Sequence, residues 1–292
     1  MAIRKHVLAL TLLLVVLLAA NAAANGGSGY TAEIMGLGMG ARALGMGGAH
    51  IAVAEDASVI YYNPAGLGQI DRFSLVSLYT NQYGALNFLT LGAAYQNFGA
   101  GMLRLSASGI EETGEYGDEI GTFSVAETAL LLGYGRTITD GLSLGGSFKY
   151  YGQDLPENKG RGFTADLGIL YTLPEGKGSV GFVGRNLFGK VKYSSEAEAE
   201  FNRSFGLGLA YRPMDELLLA ADAVIEQDFS ARFGAEYTLR SGIALRAGAA
   251  LGDDTSLTLG AGFAVSDFKI DYAYQYNRVL PDSHRLSLRL EF

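Results

Sequence analysis

The sequence predicts an all-β fold, a transmembrane antiparallel barrel of about 14 strands with a small N-terminal hatch that contains a short helix. Three observations lead there. From Phe73 to Phe292 apolar and polar side chains alternate with a period of two, the mark of a strand and not of a helix. The alternating segments run about 9–12 residues, the length a tilted strand needs to cross a bilayer, whereas strands of soluble sandwiches run about 5–6. Their connections alternate between tight turns and longer acidic loops, as in barrels whose two ends face different compartments.

The chain opens with Arg4 and Lys5, an apolar run from Val7 to Ala20, and small residues up to Ala24. A basic start, a short apolar core and a small-x-small exit predict a secretory signal peptide over residues 1–24, cut after Ala24. The run falls short of the roughly 20 residues of a spanning helix. No cysteine is present, so no disulfide holds the exported chain. The net charge of -8 argues against nucleic acid as a partner.

Residues 25–70 read as the hatch. The stretch 36–48, GLGMGARALGMGG, comes close to a dinucleotide fingerprint, yet no strand precedes it and the lysine of a phosphate loop is absent. Asp56 is placed to cap a short helix ending at Tyr62. Pro64 forces Asn63 out of the helical region, and Gly66 permits a tight turn toward the first strand. His50 and Asp56 are the hatch groups expected to meet charges of the barrel interior.

Residues 71–292 read as the barrel, with segments near 73–80, 86–96, 100–109, 122–136, 141–152, 161–173, 178–187, 202–212, 216–226, 229–240, 242–252, 255–265, 267–277 and 284–292. Longer acidic loops fall near 109–121, 152–160, 188–201 and 277–283; tight turns such as Ser266-Asp267 fall between. An even strand count puts every long loop outside, every tight turn in the periplasm, and the N-terminal segment in the periplasm as well. One face of the strands is apolar and rich in Tyr and Phe, suited to lipid and its interfacial girdles. The other carries Arg104, Glu127, Lys149, Asp166, Arg185, Arg212, Asp222, Arg232, Glu236, Arg246, Asp271, Arg285 and Arg289. Each such charge would cost about 2–4 kcal/mol at mid-depth in hydrocarbon, so this face is assigned to the lumen. Its glycines, Gly234 and Gly260 among them, are expected to leave that lumen roomy.

The run from Gly40 to Leu67, with Gly45, Gly47, Gly48, Asp56 and the signature Asn63-Pro64-Ala65-Gly66-Leu67, resembles the N-terminal region of FadL-type outer-membrane proteins, most of all their PorV/PorQ-like branch. That resemblance implies a hatch plugging the periplasmic half of a fourteen-stranded barrel. A terminal Phe292 on an alternating strand resembles the signal read by outer-membrane assembly machinery. The location implied is the outer membrane of a diderm bacterium, with membrane lipid and the assembly machinery as partners. The function implied is a gated channel for hydrophobic small molecules. The alternatives are a PorV-like component of type IX protein secretion, with secreted proteins as partners, or a mainly structural barrel. Nothing points to an enzyme. His50 and His284 have no nucleophile partner, no His/Cys cluster offers zinc a site, and the acidic loop at Glu111 and Glu112 lacks calcium spacing. No catalytic residue, cofactor or metal is expected.

Overall fold

A computed structural model of the chain describes residues 30–292, apart from 83, 115, 117, 253–254 and 278–280. The signal peptide expected over 1–24, and the first residues of the hatch, lie outside the described residues. Fourteen strands close into an antiparallel barrel. In chain order they are β1 (Ser74–Gln82), β2 (Leu86–Tyr95), β3 (Phe98–Thr113), β4 (Glu119–Thr139), β5 (Leu142–Asp154), β6 (Lys159–Thr172) and β7 (Gly178–Arg185). They continue as β8 (Ser204–Met214), β9 (Leu217–Ile225), β10 (Phe229–Thr238), β11 (Ile243–Leu251), β12 (Ser256–Val265), β13 (Phe268–Asn277) and β14 (Ser283–Glu291). Neighbours in sequence pair throughout, and β14 pairs back onto β1 from Leu286↔Tyr79 to Glu291↔Ser74, which leaves no open edge. Phe292 completes the seam by exchanging both backbone hydrogen bonds with Phe73, each at 3.0 Å.

The strands do not all stop where the alternation suggests. β3 and β4 pair as far as Thr113↔Glu119, so most of the segment expected as an acidic loop over 109–121 is a protruding hairpin. The long connection between β7 and β8 likewise folds into a small hairpin, Lys190–Tyr193 against Glu198–Phe201. Tyr30–Thr31 adds to it as a short parallel strand. The described chain therefore starts at the long-loop end of the barrel and runs through the interior to enter β1 at the short-turn end. This corrects the expectation of an N-terminal segment at the short-turn end, which holds for the entry into β1 and not for Tyr30–Thr31.

The outside of the wall carries Leu132, Phe148, Leu167, Phe233, Leu259, Ile270 and Leu288, all exposed. A continuous apolar belt of this kind is far more than a water-soluble monomer presents, and it is the surface a bilayer covers. Inward residues are buried, because residues 32–70 fill the lumen. Two short helices, α1 (Ala41–Gly45) and α2 (Val59–Tyr62), and two 3₁₀ turns, Glu33–Gly36 and Pro64–Gln69, form this insert. The hatch backbone lies against the wall at glycines. A Cβ at Gly248 would come within 2.1 Å of the Gly47 nitrogen, and one at Gly145 within 2.3 Å of the Pro64 oxygen. The inner-face glycines thus admit hatch backbone and leave no roomy lumen at that depth, contrary to the sequence expectation.

The wall therefore has an outer face set by solvent and an inner face set by contact. Phe233→Arg, at the middle of β10 and facing out, is expected to cost about 2–4 kcal/mol of barrel stability. Denaturant unfolding in lipid vesicles measures it. Gly234→Ala, one residue on and facing in, is expected to keep the unboiled gel mobility of the folded barrel while releasing hatch contacts, because its Cβ would meet Met46 at 2.5 Å.

Candidate functional site: a hatch seated on buried charge

The hatch holds its shape through side chains at the positions the sequence motif marks. Asn63 leaves α2 in an extended conformation (φ -159°, ψ 104°), as the following proline requires. Its amide then donates to the carbonyls of Ile51 (3.0 Å) and Ile169 on β6 (3.1 Å), and its oxygen accepts from the Ala65 N–H at 3.1 Å. A Cβ at Gly168 would come within 2.0 Å of that same Asn63 oxygen. Gly66 has no left-handed backbone; a Cβ there would meet Val59 at 2.9 Å, so its role is close packing against α2 and not the tight turn expected. Gly47 and Gly48 do take left-handed conformations, at φ 68° and 77°. Pro64, Ala65 and Leu67 are buried. Asp56 accepts from the N–H and hydroxyl of Ser58, just ahead of α2.

The two sides of the lumen differ. On the β1–β5 side, Val76, Leu78, Phe88, Leu103, Leu131 and Tyr151 point inward and pack against Ile34, Met39, Ile60, Tyr62 and Leu67. On the β10–β14 side the inner wall is charged. Arg42 of α1 forks onto Glu236 of β10, at 2.9 and 2.6 Å. Glu236 also accepts from Arg246 of β11 at 2.5 Å, and Arg246 pairs with Asp271 of β13 at 2.8 Å. Asp271 accepts from Arg289 of β14 at 2.6 Å. Arg289 returns to the hatch at Asp56 (3.3 Å), and Asp56 lies 3.7 Å from Arg42. Three guanidiniums and three carboxylates thus alternate around a closed, neutral ring, and all six residues are buried. Glu55 extends it, binding Arg42 at 2.5 Å on one side and Arg212 of β8 on the other.

Of the charges assigned to the lumen by alternation, Glu236, Arg246, Asp271 and Arg289 form the wall's part of this ring. Lys149 and Asp166 make a second buried pair at 2.6 Å, and both bond Asn186 where the chain leaves β7. Asp222 accepts from the backbone N–H groups of His50 (2.7 Å) and Ile51 (3.0 Å). Arg185 donates to the Tyr62 carbonyl at 2.8 Å. Glu127 accepts from Gln153, Arg232 lies under Gly48, and Arg285 is buried on β14. Arg104 is the exception. It is exposed on the outer face and donates to Thr128, because the inward positions of β3 around it are Leu103 and Leu105. His50 also departs from expectation: among the described residues its ring nitrogens make no hydrogen bond, and the ring sits edge-on to Tyr62, with ring centroids 5.0 Å apart. The alternation could not single out Arg42 and Glu55, which lie in the hatch where period-two reasoning does not apply.

No family model and no curated protein matches the chain. Solved structures share its fold. The toluene transporter TbuX of Ralstonia pickettii aligns at 14% identity with a TM-score of 0.62, over 87% of this chain and 98% of that one. The monoaromatic hydrocarbon channel CymD aligns at 15% identity and 0.62, over 88% and 98%. A FadL homologue of Pseudomonas aeruginosa aligns at 12% identity and 0.61, over 91% and 99%. At these identities the likeness is one of fold: this chain is built as those barrels are.

Removing one member of a buried ion network leaves the others uncompensated, so Arg42→Met is expected to weaken the hatch seat by about 3–5 kcal/mol. The Arg42→Met/Glu236→Gln pair should recover part of that, and limited proteolysis at residues 30–70 of the reconstituted barrel reads the loss.

Burial lowers the His50 imidazole to about 4, against about 6.5 when free, so a displaced hatch takes up that proton first. The seat should weaken as pH falls from about 6.5 toward 4. Burial pushes the Asp56 carboxyl up, but Arg289 and Arg42 outweigh it and hold the group well below the usual carboxylate range. Its contribution is complete above about 4 and fades only below that. His50→Phe is therefore expected to leave hatch proteolysis flat down to about pH 4, where the parent chain already loosens.

Proposed function

We propose that the chain is a FadL-type channel for hydrophobic small molecules in the outer membrane of a diderm bacterium. In this reading a signal peptide over residues 1–24 exports it, and Phe292 helps the assembly machinery insert it. The observation that carries the reading is a closed barrel with a lipid-facing exterior whose lumen is filled by a hatch with one apolar flank. An empty barrel of this size would fill with water and conduct, so the hatch makes the pore selective. The apolar flank, from Val76 on β1 to Tyr151 on β5, is covered by the seated hatch, and a hatch shifted off it would present that apolar surface to an apolar solute. The fold shared with a toluene transporter and a monoaromatic hydrocarbon channel supports the same substrate class.

The resemblance of the Asn63 to Leu67 signature to PorV/PorQ-like barrels supports a second reading, an accessory barrel for type IX secretion. A mainly structural barrel would do neither job. Uptake separates them. Cells expressing the chain are expected to accumulate labelled toluene faster than cells with an empty vector. Unchanged toluene uptake, with loss of secreted proteins when the gene is deleted in its own host, would select the secretion role instead.

A further inference from the structure

Arg104 faces out of the barrel, and the residues registered with it form a boundary. Across β3 to β6 the Cα partners run Arg104↔Thr128↔Gly152↔Arg161, a single outward row along the wall. The outward row beneath it, toward the short-turn end, is Met102, Leu130, Tyr150 and Phe163, with the last two ring centroids 5.3 Å apart. The row above it is Ser106, Ala126, Asp154 and Lys159. The wall thus passes from apolar to polar across one row, and two exposed arginines stand where acyl chains end and headgroups begin. The two guanidiniums lean toward each other. Arg104 donates to the Thr128 hydroxyl at 3.2 Å. Arg161 lies over β5, where a Cβ at Gly152 would meet its Nη1 at 3.4 Å and the Gln153 carbonyl accepts from it at 3.1 Å. Thr128 and Gly152 are direct neighbours on adjacent strands, roughly 5 Å apart, so no bulky side chain stands between the cations. Asp154 pairs with Arg161 at 2.8 Å and also lies in the field of Arg104 and Lys159. Three cations thus share one carboxylate, on a chain whose net charge is -8. Lys192, registered with Arg161 on the small hairpin, is offset by Glu198 at 3.5 Å. Among the described residues, the outward positions of β9–β14 at this end include Phe229, Leu251, Leu257, Tyr276 and His284, and no lysine or arginine.

We propose that the outer face of β3–β6 binds the phosphate headgroup of an anionic glycolipid in the outer leaflet. Arg104 and Arg161 grip the phosphate over Thr128 and Gly152, and the acyl chains lie on the apolar row beneath. The site rests on the outer-membrane location proposed above, with the long-loop end outward, and goes beyond the transport role because it uses none of the lumen. A phosphate monoester carries close to two negative charges at neutral pH, which the two cations left over by Asp154 offset. The planar fork of arginine presents paired donors to phosphate oxygens, which a lysine in the same place does not. Asp154 is the resident counterion with which such a phosphate competes.

Native mass spectrometry of the purified barrel in a nonionic detergent, titrated with diphosphoryl lipid A, tests this. The parent is expected to bind that glycolipid about tenfold more tightly than the same glycolipid stripped of its phosphates. Arg104→Gln/Arg161→Gln should weaken binding roughly tenfold for each arginine, as the loss of one charge-assisted hydrogen bond implies. Asp154→Asn, which removes the competing anion, should tighten it, and a gain of binding guards against a folding defect. Arg136→Gln, which removes an exposed cation at the short-turn end of β4, should bind as the parent does. Heat-modifiable gel mobility verifies each folded barrel. The site does not exist if the double variant binds like the parent, if Arg136→Gln weakens binding as much, or if the parent does not distinguish the stripped glycolipid. Displacement of the glycolipid by an equal concentration of inorganic phosphate would make the site one for free phosphate and overturn its assignment to a lipid. Toluene uptake by cells carrying the double variant should equal that of the parent, so either role can fail while the other stands. Membrane fractionation of the same cells tests the location separately.

Discussion

The ring of alternating charge between hatch and wall is the interaction on which the rest of the structure rests. A buried arginine or carboxylate costs several kcal/mol in desolvation, and the cost is offset only when each partner is held in good geometry. Here Arg246 and Asp271 pair within the wall, while Glu236 and Arg289 each also reach across to the hatch. Glu236, Arg246, Asp271 and Arg289 come from four strands, and Arg42 and Asp56 close the circuit from the hatch. A barrel with its hatch withdrawn would carry an incomplete ring in its interior. Barrel and hatch are therefore one electrostatic unit, although they are separate segments of chain.

The opposite flank of the hatch is held by other means. Between β1 and β5 the contact is apolar, with Phe88, Leu103 and Leu131 against Ile60, Tyr62 and Leu67. Apolar contact is non-directional and tolerates small shifts, whereas the forked contact of Arg42 on Glu236 does not. Asn63 locks the centre of the hatch by donating to the Ile51 carbonyl of the hatch and the Ile169 carbonyl of β6 at once. The hatch is thus fixed in register by charge and amide bonds, and filled in by apolar packing.

Much of the barrel was legible because its alternation is dictated by two solvents, lipid outside and a polar packed interior within. Phe233 and Glu236 sit three positions apart and fall on opposite faces, as a period of two demands. The same reasoning failed at Arg104, where the inner wall is apolar and a charge in the alternate position must point out. It also failed at strand ends: β3 and β4 continue past the membrane as far as Thr113 and Glu119, because hydrogen-bonded pairing outlasts the apolar pattern. The hatch was legible as a motif and not as a site. Its glycines stood out in the sequence, but the groups that Gly45, Gly47 and Gly48 approach come from strands more than a hundred residues away. Arg42 and Glu55 carry no periodic signal at all.

Glycine placement explains how the insert can be seated backbone to backbone against its wall. Where a wall glycine faces hatch backbone, as at Gly145 and Gly168, the hatch side is Pro64 and Asn63, residues with little backbone freedom or with several bonds of their own. At Gly234 and Gly248 the facing residues are Met46 and Gly47, between further glycines. The first arrangement is rigid on both sides of the contact. The second is tied into α1, where the N–H groups of Met46, Gly47 and Gly48 return to the carbonyls of Ala43 and Leu44, so the turn is held with the helix that carries Arg42. Close approach of backbone to backbone, which glycine makes possible on both surfaces, lets the hatch turn lie directly on the wall at Gly234 and Gly248, while the side chains of Met39, Ile60 and Tyr62 fill the interior elsewhere.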